Sequence, residues 1–162
     1  MEAFRDMVEA DFDRVVSLND AEVQQTSLMD RGQLAALHCM SSYAKVAELD
    51  GEVGAFLLAL RADAPYANAN FQWFVSRFPD FLYVDRIVVG ASYSGRGIGR
   101  TLYDQMFAFA RSAGIRRIAC EYNVEPPNPA SRAFHAGFGF RECGRQHVAG
   151  GAKLVSLQVA ET

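Results

Sequence analysis

No run of about 18 consecutive apolar residues occurs in the chain, which excludes a membrane-spanning helix. Cysteine is scarce: Cys39, Cys120 and Cys143 are odd in number and far apart, so neither a disulfide framework nor a zinc site follows from them. No metal is expected, and a reducing, cytoplasmic setting is the plain inference. Positive charge in excess is missing too. The net charge of −3 argues against general affinity for nucleic acid. The first thirteen residues hold Glu2, Asp6, Glu9, Asp11 and Asp13, the opposite of a basic and then apolar secretion signal. Repeats, low-complexity tracts and linkers are absent. What remains is 162 residues, 50% apolar and 22% charged, which fits a single domain over 1–162 with a full core.

Charge is unevenly spread. Residues 1–30 hold eight acids and two arginines, whereas residues 86–117 hold six arginines and one acid, Asp104. Either these are two solvated helix faces, or they mark a basic site for an anionic cofactor and an acidic approach for a cationic substrate. Apolar periodicity predicts a strand at Phe4–Met7, helices at Ala10–Leu18 and Arg31–Ser41, and a loop at Asp20–Asp30 between them. Tyr43–Leu49 and Val53–Leu60 flank Asp50-Gly51, a type I′ hairpin signal. Ala62–Asp80, with Pro65, Pro79 and five aromatic residues, reads as a flap or a surface loop pinned by buried rings. A strand at Phe81–Val89, a helix at Gly97–Ala113 closed by Gly114, and a strand at Ile115–Asn123 follow. Asn128 and Pro129 open a helix that runs to about Ala136, and Phe140–Val148 and Lys153–Val159 form a last hairpin. The fold class is α/β: a mixed, mostly antiparallel sheet of about seven strands flanked by about four helices.

The chemistry concentrates at Ser94-Gly95-Arg96-Gly97-Ile98-Gly99-Arg100, which follows a strand and opens a helix. A helix start offers unpaired N–H groups and partial positive charge, and glycine lets an oxygen approach the backbone. Glycines at alternate positions with Arg96 and Arg100 between them suit a pyrophosphate. The spacing is not that of a dinucleotide fingerprint, since the sixth position from Gly95 is Arg100, and no G-x-x-x-x-G-K-[ST] loop is present.

These residues resemble the GNAT superfamily of N-acetyltransferases, whose pattern [Q/R]-x-x-G-x-[G/A] follows a hydrophobic strand. Ser94-x-x-Gly97-x-Gly99 matches the glycines after Ile87-Val88-Val89, with Ser94 departing from the usual first residue. A second family pattern, N-x-x-[A/S]-x-x-[F/L]-[Y/H]-x-x-x-G-F, matches Asn128, Ser131, Phe134, His135, Gly139 and Phe140. Together the motifs cover about residues 81–145. The resemblance implies that amides from Ser94 through the helix start hold the diphosphate of coenzyme A. It also implies that the strand end at Ile87, Val88 and Val89 pairs with the pantetheine arm. Asn123, Asn128, Ser131, Phe134 and His135 would complete the cofactor contacts. The implied reaction is direct acetyl transfer from acetyl-CoA to the primary amine of a small molecule. The alternatives are a protein N-terminus or lysine as acceptor, or a non-catalytic acyl-CoA sensor. A homodimer is compatible with the family, and no nucleic-acid or membrane partner is expected.

Amide formation needs a neutral amine, a place for the oxyanion and a proton for the departing thiolate. His135 stands where the family usually places a tyrosine acid, and an imidazole can donate near neutral pH. Otherwise it is a helix-face histidine bonded to the backbone. Two carboxylates compete for the role of base, with the absence of any dedicated base as the third alternative. Asp85 shares one side of its strand with Tyr83, Ile87 and Val89, and Glu121 lies near the end of the adjacent strand. Each also has a structural reading: Asp85 in a pair near Arg86, Glu121 with Arg116 or Arg117. Cys120 reads as a buried thiol rather than an acyl carrier, and Tyr103, Phe107 and Phe109 as helix packing or an oligomer surface.

Overall fold

A computed structural model describes residues 2–22 and 27–162; the part of the expected Asp20–Asp30 loop at 23–26 lies outside the described residues. The strands form a mixed, mostly antiparallel seven-stranded sheet in the order β1-β2-β3-β4-β5-β7-β6. The chain divides into two compact units, Met1–Leu60 with Val84–Ala108, and Arg61–Tyr83 with Phe109–Thr162.

In the first unit β1 (Glu2–Asp6) pairs antiparallel with β2 (Tyr43–Leu49), and β2 with β3 (Glu52–Arg61). Asp50 and Gly51, at φ 55° and 89°, form the turn that their sequence announces. β3 is apolar on both faces, and Val53–Leu60 are all buried, as in a strand covered on two sides. Two helices follow β1: α1 (Phe12–Ala21), which buries Phe12, Val15 and Leu18, and α2 (Arg31–Met40). Helix α2 starts on a capping box in which Asp30 accepts from the Gln33 amide and Gln33 returns a bond to Asp30 N–H.

The acidic N-terminal run is largely absorbed by pairing within this unit. Arg5 grips Asp11 through two bonds of 2.8 Å and also bonds Glu48. Asp6 meets Lys45, Glu9 and Asp13 meet Arg31, and Glu2 meets Arg96. The acidic-approach reading therefore loses much of its charge. The Arg5 guanidinium holds the Asp11 carboxyl below its ordinary range.

In the second unit the first residues of β4 (Leu82–Val89) run parallel to β5 (Arg117–Glu125), with Leu82 opposite Ile118 and Tyr83 opposite Ala119. β7 (Lys153–Glu161) lies antiparallel between β5 and β6 (Arg141–Val148). The Ala62–Asp80 segment is pinned by the buried rings of Phe71 and Phe74 as one reading expected, but it is not irregular throughout: it contains helix α3 (Ala69–Val75), which brings the α-helices among the described residues to five rather than four. Asn68 caps α3 by accepting from the Phe71 amide. Phe71 and Phe74, three residues apart on one face, pack against Phe81 and Tyr83 at 5.5–5.9 Å, Phe71 edge-on and Phe74 tilted. Trp73 lies against Gly144, where an added Cβ would sit 2.4 Å from the indole.

Helix α4 (Ile98–Ser112) buries Ile98, Leu102, Tyr103, Met106, Phe107 and Ala110, so Tyr103 and Phe107 are packing residues. It ends at Gly114 (φ 73°), with the Ile115 amide reaching back to the Ala110 carbonyl. Helix α5 (Pro129–Ala136) is capped by Asn128, which accepts from the Ser131 amide. Among the described residues no helix is long and apolar enough to cross a membrane.

Candidate active site

The glycine-rich turn belongs to the first unit. A single 3-10 turn, Ala91–Tyr93, consumes the Ser94 amide on the Ala91 carbonyl. Gly95 and Gly97 then adopt φ of 79° and 75°, which L side chains rarely adopt, and the space their side chains would fill is open. The first bond of α4 runs from the Thr101 amide to the Gly97 carbonyl, so the amides of Ile98, Gly99 and Arg100 precede any intrahelical acceptor. A concave backbone with leading N–H groups fits a diphosphate.

The turn is anchored from behind. Tyr93 is 7% exposed, its ring covers Gly54, and its hydroxyl donates to Glu52 at 2.7 Å. Gly90 N–H meets the Gly54 carbonyl at 2.8 Å. Arg96 bends to Asp50 and Glu2 at 3.0 and 3.1 Å, so part of its charge is engaged. Arg100 stays at the surface, 4.0 Å from Asp104. Of the strand-end residues, Val88 is buried while Ile87 and Val89 are partly exposed.

Asp85 and Glu121 have different surroundings. Asp85, also in the first unit, is 3.3 Å from Arg86 Nε, and that guanidinium donates to Asn19 and to both the carbonyl and hydroxyl of Ser27. Asp85 thus sits beside a positive charge that is itself fixed by Asn19 and Ser27. Glu121, in the second unit, is held by neutral donors. Tyr83 Oη donates to its carboxylate at 2.8 Å, and Asn70 Nδ2 at 3.1 Å. Gln146 in turn donates to Asn70 Oδ1 at 3.0 Å. Of the two arginines expected near Glu121, Arg117 stacks on Phe78 and donates to the Asp80 carbonyl. Asn70 and Gln146 were missed by sequence reading because α3 was missed.

His135 is 5% exposed and sits among the rings of Tyr122, Phe134 and Phe140 at 5.2–5.9 Å. Its Nδ1 lies 2.7 Å from the Ser131 carbonyl. A carbonyl only accepts, so Nδ1 carries the hydrogen of the neutral ring. Burial lowers the pKa of the imidazole. Burial thus favours the neutral ring and outweighs the bond to Ser131, which acts in the opposite direction. Asn123 is partly exposed in β5 opposite Val155, and Asn128 and Ser131 are committed to the start of α5. Burial pushes the Cys120 thiol well up, away from thiolate chemistry.

Comparison with known proteins agrees with this geometry. A family model described as the acetyltransferase (GNAT) family matches residues 2–140. No curated protein matches the chain. Among solved structures, Ard1 from Thermoplasma volcanium superposes with a TM-score of 0.81 at 13% identity, covering 99% of this chain and 97% of that one. A ribosomal-protein-alanine N-acetyltransferase from Brucella melitensis gives 0.74 at 21% identity, covering 99% of each chain. For yncA of Salmonella typhimurium, solved with its cofactor acetyl-CoA, the TM-score is 0.73 at 17% identity, covering 99% and 94%. At these identities the likeness is one of fold.

Proposed function

The chain belongs to the acetyltransferase (GNAT) family, and from that premise we propose that it moves an acetyl group from acetyl-CoA directly to the primary amine of a small molecule. The observation that carries this reading is the pair of positive-φ glycines, Gly95 and Gly97, ahead of the leading amides of α4. When bound, acetyl-CoA supplies a thioester whose carbonyl carbon accepts the amine. The amides of Ile98, Gly99 and Arg100 bind its diphosphate, and Arg100 adds surface charge. Glu121 takes the proton from the incoming ammonium. Tyr83 and Asn70 orient its carboxylate through hydrogen bonds, which supports Glu121 as the base, whereas Asp85 lies 3.3 Å from Arg86 Nε. His135 seats helix α5 rather than serving as acid. The unbridged cysteines Cys39, Cys120 and Cys143 support a reducing, cytoplasmic setting.

The test is a panel of amines with acetyl-CoA, read by release of free thiol, including a peptide with N-terminal alanine as the protein-acceptor arm. Glu121→Gln should lower kcat by about 10²–10⁴ while leaving the affinity for coenzyme A within about twofold, and Asp85→Asn should do much less to turnover. Binding of coenzyme A without thiol release from any amine would replace the enzyme by a sensor.

A further inference from the structure

A cavity of about 520 Å³ lies within the second unit, between helix α5 and the β5-β7-β6 surface. Its size is that of a small-molecule pocket. Pro129, Arg132 and Ala136 line it from α5, at spacings that share a helix face. Tyr122, Gln158 and Glu142 line it from the sheet. Tyr122 stands opposite Ser156 in the ladder and Glu142 opposite Gln158, so the four side chains share one sheet face.

These four form a hydrogen-bond chain whose direction can be worked out. Glu142 is held below the usual carboxylate range by the Ser156 hydroxyl and then by Arg145, so it is ionised at neutral pH and only accepts. Ser156 therefore spends its hydrogen on Glu142, and its oxygen must accept the bond from Gln158 Nε2 at 2.7 Å. That fixes the Gln158 amide: its nitrogen faces Ser156 and donates its other hydrogen to Tyr122 Oη at 3.1 Å. Tyr122 Oη thus accepts from Gln158, and its own hydrogen has no protein acceptor among the described residues. Arg132 is exposed, and its charge acts on Glu142 alongside that of Arg145. Both oxygens of Glu142 are engaged and its charge is matched by Arg145, so Arg132 supplies the excess charge of the rim. Tyr122 O–H and the Arg132 guanidinium are donors left over at this site, and Val124, Pro127 and Phe140 provide apolar walls.

We propose that this cavity is a binding site for a small organic carboxylate with an apolar body, its oxygens bonded by Tyr122 Oη–H and the Arg132 guanidinium. Neither of its two donors belongs to the turn ahead of α4. Asn123 and Asn128 border the same cavity, so an overlap with the cofactor groove has to be excluded in the test.

The test is an NMR titration of the whole chain with phenylacetate, and with its neutral isostere phenylacetamide. Phenylacetate should bind with a dissociation constant on the order of 1 mM, shifting the amides of Tyr122, Arg132 and Phe140, and phenylacetamide should bind about tenfold more weakly. Arg132→Gln, at an exposed position, should weaken phenylacetate by about tenfold with unchanged thermal unfolding, and Tyr122→Phe by a similar factor. Coenzyme A should not displace the probe. Equal binding of the two probes, undiminished binding by Arg132→Gln, displacement by coenzyme A, or no shifts at about ten times the expected constant would each overturn the proposal.

Discussion

Gly54→Ala offers the sharpest test of how the phosphate-binding turn is supported. Gly54 lies in β3, and its backbone is in an ordinary conformation. Replacing a strand glycine with alanine at such a site should stabilise by about 0.5–1 kcal/mol through lost chain entropy. Against this, the new methyl would sit 2.5 and 2.6 Å from the Tyr93 ring and 2.8 Å from Leu49 Cδ1. Tyr93 cannot yield freely, because it is buried and tied to Glu52. Overpacking of this kind costs about 1–3 kcal/mol, so the clash wins, with a net loss of about 0.5–2 kcal/mol. Urea unfolding reads that loss directly, and a melting curve should drop by about 2–4 °C per kcal/mol. A displaced Tyr93 also drags the turn before Ser94, so coenzyme A should bind several-fold more weakly by calorimetry. In a Tyr93→Leu background the methyl has room, and the two changes should couple by about 0.5–3 kcal/mol. If Gly54→Ala stabilises the protein and leaves coenzyme A affinity unchanged, Tyr93 is not the support described.

Gly97→Ala puts a methyl on a residue at φ 75°; it should cost about 1–2 kcal/mol in urea unfolding and weaken coenzyme A more than it lowers kcat. Asp11→Asn should destabilise by about 1–2 kcal/mol at pH 7, discounted because Arg5 is partly open to water. The Asp11 pKa is lowered in the folded state, so the gap between wild type and variant should be full above the ordinary carboxylate pKa and close as the pH falls through Asp11's own value. NMR should show His135 titrating below the ordinary histidine value. Because the folded protein resists that proton, stability should fall as the pH drops through the unfolded-state pKa of about 6.5, and a titration at or above it would refute the buried, neutral ring.

Elements bounded by strong local chemistry were legible in the chain. Asp50-Gly51 fixes its hairpin, and Asn128-Pro129 starts α5 where the structure starts it. The glycine turn and the opening of α4 also follow from local preference. Helix α3 was obscured because Pro65, Pro79 and two asparagines read as loop punctuation, although Asn68 as cap and Phe71 and Phe74 on one face are its signature. The start of β5 falls at Arg117 instead of Ile115, since Ile115 is buried as the apolar residue closing α4 rather than as a strand residue. The proton chemistry was least readable. Arg96 finds Asp50 and Glu2 from 46 and 94 residues away, and Glu121 finds Asn70 from 51. No spacing rule encodes such meetings, which depend on how the elements are brought together.

The contact between α3 and Gly144 has a practical side. Trp73 is the chain's sole tryptophan, wedged against a residue that leaves room for nothing larger, with the Arg77 guanidinium 3.8 Å above its ring. Its emission is therefore a built-in optical gauge of that helix's seating on the sheet: any event that lifts the helix carrying Asn70 changes the colour and quenching of one indole, without a label.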